Sequence, residues 1–258
     1  MNRLTATIIT LNEEKNLPRA LTSVAGLADE IVVVDSGSTD RTVEIARQVG
    51  ARVLQRVWTD YSDQKNFAAA QASRDWILSL DADEELNPEL QAALRRWKSE
   101  LAMVTAYSMN RKANYCGRWI LHSGWCPDPK FRLYHRQRAR WVGALHESLE
   151  VNGAVEPLPG EILHYTMNSF DEHARRVRHY TTLAARLLFV AGQRRWFLPL
   201  LAASPWAFLR TFFFQQGFRD GVHGLQIATM AAYYVFLKYR KLGILVRGGS
   251  LEPEGSRS

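Results

Sequence analysis

The sequence predicts an α/β fold with a mostly parallel sheet and helices on both of its faces. Two observations carry this. Four short apolar or β-branched runs lie in the first hundred residues, with helical stretches between and after them. At least three of the runs end in polar or acidic residues, the pattern of open sheets that bind ligands at their carboxyl ends.

Leu4–Thr10 reads as the first strand. A helix over Asn16–Val24 follows, with Pro18 in the first turn, where a missing N–H costs little. Ile31–Val34, running into Asp35, is apolar on both faces and reads as a buried parallel strand. Ser36–Asp40 is a turn; Thr39 is expected to cap a helix through Gln48, closed by Gly50. Arg52–Val57 is a third strand, Ser62–Ala72 a helix, and Trp76–Leu80 a buried strand ending at Asp81. Asn87 caps the next helix, with Pro88 at its first position.

Between 102 and 165 the pattern changes to short strand-like pieces broken by Gly117, Gly124, Pro127, Pro129 and Gly143. Tyr115, Trp119, Trp125, Arg132, Tyr134 and Trp141 crowd this stretch, the texture of a mixed-sheet half with long loops. After Thr166 the chain turns helical, with Ser169 and Glu172 as a capping box. An apolar stripe of Val177, Tyr180, Ala184, Leu187 and Leu188 is expected to face a neighbour, opposite Arg175, Arg178 and Arg186. The chain is expected to divide at residues 1–100, 101–166 and 167–258, with a loose tail from Gly248.

Ordinary composition, 47% apolar and 23% charged, excludes a disordered or fibrous chain. Two cysteines, Cys116 and Cys126, cannot form a disulfide framework, so a reducing cytoplasm is expected. The first residues lack the long apolar stretch of a secretory signal. Charge is uneven: residues 1–100 carry 12 Lys/Arg against 16 Asp/Glu, net −4, and residues 101–258 carry 21 against 10, net +11. The basic half suits an anionic surface or a phosphorylated substrate. Nucleic acid is not expected, because no basic tract with interleaved aromatics occurs. Trp196–Phe214 is 19 residues of very apolar sequence. Two prolines and Arg210 argue against a spanning helix, since a mid-membrane Arg costs about 2.5–3.5 kcal/mol on insertion scales. A segment lying in a membrane surface, flanked by Arg194, Arg195, Lys238, Arg240 and Lys241, is expected.

Asp81-Ala82-Asp83 at a strand end is the sharpest chemical feature. Two hard oxygen donors there suit Mg²⁺ or Mn²⁺ with open positions for phosphate oxygens. Thr10-Leu11-Asn12-Glu13 and Asp35-Ser36 end neighbouring strands, so a base and ribose would fit the same crevice. Neither a Gly-x-Gly-x-x-Gly nor a phosphate-loop Lys motif appears, which disfavours a dinucleotide oxidoreductase or a nucleoside triphosphatase.

Ile8–Glu14, Glu30–Thr42 and Trp76–Glu84 together resemble the family 2 glycosyltransferases in order and spacing. Gly124–Pro127, Arg132–Tyr134, Leu145–Glu147 and Phe218–Gly224 are similar to the bacterial branch adding β-glucose to heptose of the lipopolysaccharide inner core. The resemblance implies a GT-A fold, a Rossmann-like mixed sheet with a helical C-terminal extension. It implies a UDP-sugar donor, inverting transfer and a divalent metal. Thr10, Leu11, Asn12, Glu13, Asp35, Ser36 and Ala82 would then line the nucleotide-sugar site. Lys65 would approach the nucleotide or diphosphate, Asp81 the ribose or metal, and Asp83 the metal, with His164 a third metal or diphosphate contact. An inverting transfer needs one general base. Glu147 is the expected base, with His146 either orienting it or contacting phosphate and Asp128 the runner-up. Trp125 suits a sugar face, and Arg132 and Arg138 suit phosphate.

The expected function is hexose transfer, glucose foremost, to an anionic lipid-linked glycan at the inner face of a membrane. The chain would sit as a peripheral protein on the cytoplasmic side. The alternatives are transfer to a polyprenyl phosphate and a non-catalytic nucleotide-sugar-binding module.

Overall fold

A computed structural model describes residues 2–143 and 147–251. The chain falls into two compact units, one of residues up to 112 together with 128–165, the other of 113–127 with the chain from 166 onward.

In the first unit, β1 (Leu4–Thr10), β2 (Glu30–Asp35), β3 (Arg52–Gln55) and β4 (Trp76–Asp81) pair in parallel in the order β3-β2-β1-β4. Every residue of β1 is buried, because parallel strands with crossover helices are covered on both faces. The crossovers are α1 (Leu17–Val24), α2 (Thr42–Gln48) and α3 (Tyr61–Gln71). Leu4, Ile8, Leu78 and Leu80 of the sheet pack with Leu17 and Leu21 of α1. Leu90 and Leu94 of α4 (Pro88–Ser99) complete that layer, while α3 places Ala68 against Ile9, Val32 and Val34 on the other side.

Beyond β4 the sheet becomes mixed. It continues through β8 (Pro129–His135), β6 (Ala106–Tyr115) and β11 (Val155–Met167) to β5 (Glu84–Leu86). β8 pairs antiparallel with β4 and β6, and β5 pairs antiparallel with β11. A two-residue strand, β7 (Arg118–Trp119), pairs with the end of β6. A separate antiparallel hairpin, β9 (Ala139–Val142) and β10 (Ser148–Val151), lies outside this sheet. The α/β class, the Rossmann-like mixed sheet and the helical C-terminal region are therefore as the sequence implies.

Two local expectations need correction. Thr39 does not cap α2, which begins three residues later. Arg41 holds the N-cap position without a side-chain cap, Asp40 Oδ1 accepts from Thr42 N at 3.0 Å, and Thr39 N donates to Asn12 Oδ1. Strand β3 also stops at Gln55, two residues short of Val57. Asp60 and Asn87 cap α3 and α4 through Asp63 N and Leu90 N.

In the second unit, α5 (Phe170–Val190), α6 (Phe197–Leu209) and α7 (Val222–Val246) account for most of the chain. A π-helical turn, Arg210–Phe214, and a 3₁₀ turn, Gly217–Asp220, join the last two. Ser169 caps α5 by accepting from Glu172 N, and Glu172 reaches back to Asn168 N. The expected apolar stripe is rotated: Val177, Thr181 and Ala185 are buried, and Tyr180 and Leu187 are exposed. Packing decides this, because Val177 meets Met230 and Leu237 of α7. No residue of α6 is buried, and Phe197–Phe214 is long and apolar enough to cross a membrane by length and composition.

The Phe218–Gly224 motif has a structural explanation. Asp220 is buried and accepts from Leu121 N, His122 N and Ser123 Oγ, holding the 113–127 segment. Gly224 starts α7 so close to the 3₁₀ turn that a Cβ there would lie 1.8 Å from Gly217 O. Gly224→Ala is expected to cost about 3 kcal/mol or more, because backbone rather than a flexible side chain must yield. Chemical denaturation checks this; an unchanged midpoint would show that the two turns do not depend on contact at that point.

Candidate active site

The carboxyl ends of β1, β2 and β4 bring Thr10, Asp35 and Asp81 to one edge of the sheet. The loops after β1 and β2 are stitched together there. Asn12, at φ +54°, donates its N–H to Ser38 Oγ at 2.8 Å, and Glu13 N donates to Thr42 Oγ1 at 2.8 Å. Asp35 is fully buried and shapes its own turn: Oδ2 accepts from Gly37 N at 3.0 Å and Ser38 N at 2.9 Å. Ser36 N is bonded to Thr10 O, and Leu11 is half exposed at the rim. Thr10 Oγ1 is buried with no hydrogen-bond partner among the described residues, the condition of a polar atom awaiting a ligand.

Asp81 begins a run of ion pairs of alternating sign. Lys65, on α3, is completely buried, with Nζ 3.0 Å from Asp81 Oδ1 and 3.0 Å from Glu147 Oε1. An ammonium has three donors, so Lys65 bridges the two carboxylates. Arg132, on β8, reaches Asp81 Oδ2 at 2.9 Å and Glu84 Oε1 at 2.7 Å. Glu84 is buried; its Oε2 accepts from Asp81 N, and Arg111 stands 3.4 Å from its Oε1. Arg111 and Lys130 then clamp Asp128, at 2.8 and 2.9 Å. Four cations and four carboxylates thus balance along one path. Burial opposes ionisation of Asp81, but Lys65 and Arg132 outweigh it and hold the carboxyl well below the usual carboxylate range. Burial likewise disfavours the Arg132 charge, and Glu84 and Asp81 more than restore it. Trp141 roofs the pair, with Lys65 Nζ 4.7 Å and the Arg132 guanidinium 5.7 Å from its ring.

Asp83 faces elsewhere. Its Oδ2 lies 3.3 Å from His164 Nε2, and its carbonyl accepts from Tyr165 N on β11. Adjacent donors about one octahedral cation stand about 3 Å apart when the bonds are about 2.1 Å. The 3.3 Å Asp83–His164 separation is close to that value, and these two residues would hold Mg²⁺ or Mn²⁺. Among the described residues no group of three His, Cys, Asp or Glu is arranged to hold a metal.

Several expected site residues thus come together, in two sets. Lys65, Asp81 and Glu147 form one, Asp83 and His164 the other, and Ala82 is buried in the core between the two carboxylates. Asp128 is held by two cations, which disfavours it as a free base. His146 lies outside the described residues. Trp125 packs with Tyr115, Ile120 and Ile227 in the second unit, so its ring serves a core. Sequence reasoning missed Arg111 and Glu84 altogether and gave Arg132 a ligand rather than carboxylate partners. The one available signal was Glu84 following the acidic triplet, since a buried third carboxylate demands cations.

Glu147 also lines a cleft of about 480 Å³ with Arg111, Lys130, Arg132, Trp141 and Ser148. Glu147 thus presents a carboxylate whose Oε2 accepts no bond among the described residues.

Residues 5–148 match the profile described as glycosyl transferase family 2. An uncharacterized glycosyltransferase of Rickettsia prowazekii is 30% identical over 94% of this chain and 87% of its own length. The lipopolysaccharide core biosynthesis glycosyltransferase LpsC of Rhizobium meliloti is 31% identical over 93% of this chain and 91% of its own. Among solved structures, a mycobacterial protein superposes with TM-score 0.48 at 16% identity over 72% of this chain and 74% of that one.

The depressed pKa of Asp81 fixes how its contribution depends on pH. Its ionised form stabilises the fold fully above the ordinary value of 3.8, and the contribution fades as pH falls below that toward the lowered folded value. Asp81→Asn is expected to cost about 3 kcal/mol at pH 7, since it leaves Lys65 and Arg132 undercompensated. Urea denaturation should show the gap between parent and variant narrowing by about 1.4 kcal/mol per pH unit below pH about 4. A gap that stays constant down to pH 2.5 would contradict the ion-pair account.

Proposed function

The chain belongs to glycosyl transferase family 2, and from that premise we propose that it is an inverting hexosyltransferase using a UDP-sugar donor. The acceptor we propose is a lipid-linked glycan, specifically heptose of a lipopolysaccharide inner core, with glucose the sugar moved. The observation that carries this reading is Glu147. It lines the cleft and is tied through Lys65 to Asp81 at the donor edge, so one carboxylate reaches toward both substrates.

Uridine is assigned to the edge formed by Thr10, Leu11, Asn12, Glu13, Asp35 and Ser36, where the unpartnered Thr10 hydroxyl awaits a donor or acceptor. Asp83 and His164 would hold Mg²⁺ or Mn²⁺, which supplies neutralising charge to the departing diphosphate. Asp81 is assigned to holding Lys65 and Arg132 in place. Glu147 removes the proton from the acceptor hydroxyl as that oxygen attacks the anomeric carbon opposite the diphosphate. Lys65 fixes Oε1 of Glu147 and leaves Oε2 for that proton. Transfer to a sugar of the core is favoured over a polyprenyl phosphate by the likeness to LpsC along nearly the whole chain. We assign the chain to the cytoplasmic face of the inner membrane, held there by the exposed apolar residues of α6 and its π turn, Leu198, Leu201, Trp206 and Phe214 among them.

One reconstitution tests these assignments together. With UDP-glucose and anionic phospholipid vesicles carrying heptose-terminated core, the protein should sediment with the vesicles and add one hexose mass to the acceptor. Glu147→Gln should sediment equally and bind UDP-glucose equally, with turnover lowered about 10²–10⁴-fold. Parent-level turnover by that variant would contradict the base assignment. A protein left in the supernatant would contradict the membrane assignment, and product formed only on polyprenyl phosphate would contradict the acceptor.

A further inference from the structure

A second cleft, of about 750 Å³, opens on the other side of the β9–β10 hairpin. The turn from β8 into β9 supplies Arg136 and Arg138, β9 supplies Arg140, and α3 supplies Asn66 as part of the wall. Arg136 is committed: it pairs with Asp75 at 3.3 Å and donates to Ala72 O. Arg138 and Arg140 have side chains without a hydrogen-bond or ion-pair partner among the described residues. Arg138 lies in the turn just before β9 and Arg140 lies within the strand, and both line the cleft. Glu150, cross-strand from Arg140, is the one acid in the lining.

The floor of this cleft is rigid. Asn66 Nδ2 donates to Trp141 O at 2.8 Å and Trp141 N donates to Asn66 Oδ1 at 3.0 Å, clamping β9 to α3. Lys65 and Asn66 are neighbours on α3, as are Arg140 and Trp141 on β9. In each pair one residue belongs to the ion-pair site and the other to this cleft. The wall that positions Lys65 therefore also presents two uncommitted guanidinium forks. Guanidinium forks match the oxygens of a phosphate in bidentate fashion, and the volume exceeds that of a bare ion and admits a sugar or a headgroup.

We propose that this cleft is an anion subsite, separate from the donor and acceptor positions, that binds phosphate-monoester groups through Arg138 and Arg140. The phosphate is borne by a soluble sugar phosphate or by a lipid headgroup, and the subsite stands whether or not the transfer reading holds.

Titration calorimetry of the full chain with glucose 6-phosphate is the first arm. Sedimentation with phosphatidylcholine vesicles containing phosphatidic acid, against phosphatidylcholine alone, is the second. The double variant Arg138→Gln/Arg140→Gln should bind about tenfold more weakly. Glu150→Gln, which removes the acid, should bind about threefold more tightly, a change of sign that misfolding cannot produce. UDP binding should be the same in all three proteins. Opposite shifts in the first arm identify a soluble phosphate, and opposite shifts confined to the second identify a headgroup. If neither arm responds to the two variants in opposite directions, the proposal is overturned.

Discussion

A lysine with no solvent exposure is the constraint around which the first unit is arranged. An enclosed ammonium without partners costs several kcal/mol, so Lys65 must be met by anions or lose its charge. It meets two, Asp81 at the end of β4 and Glu147 just before β10, both at 3.0 Å. These carboxylates are 66 positions apart in the chain. Lys65 thereby fastens the hairpin to the sheet edge, and Trp141 closes over the cation from the same hairpin. Local helix and strand preference cannot supply this link, because it joins three elements through one charge.

The balance of charge across the two halves of the sequence follows from the same cluster. The acids Asp81 and Glu84 come from the acidic first hundred residues, while Arg111, Lys130 and Arg132 come from the basic remainder. Part of the uneven charge is thus internal complementarity rather than an outward-facing basic surface. Arg138 and Arg140, from the basic part of the sequence, have no such partner among the described residues and lie on the far side of the same hairpin. The acidic triplet divides its labour as well: Asp81 turns toward the cations of the sheet, and Asp83 toward His164.

Much of the parallel half was legible from sequence, because buried strands, Gly50 and the Asn87-Pro88 cap are local signals with local causes. The strand ends were legible for the same reason, which is how Thr10, Asp35, Asp81 and Asp83 could be named. Failures came where a distant partner decides. Thr39 does not cap α2 because the helix starts only at Thr42, while Thr39 itself is tied to the Asn12 loop. The buried face of α5 follows Met230 and Leu237 of α7 rather than the apolar stripe. Arg132 carried the right charge for a phosphate, yet its acids lie 51 and 48 residues upstream, a pairing no pattern along the chain reveals. Glu147 was named from sequence as a general base, whereas its tether to Lys65, 82 positions away, leaves no signal along the chain.

The central claim is that two carboxylates only two residues apart do different work, Asp81 anchoring Lys65 and Arg132 and Asp83 sharing a divalent cation with His164. Anomalous diffraction from crystals soaked in UDP and manganese decides it most directly. The account predicts a manganese peak about 2.2 Å from Asp83 and His164, with Lys65 still bridging Asp81 and Glu147. A peak ligated by Asp81, with Lys65 displaced from it, would contradict the account.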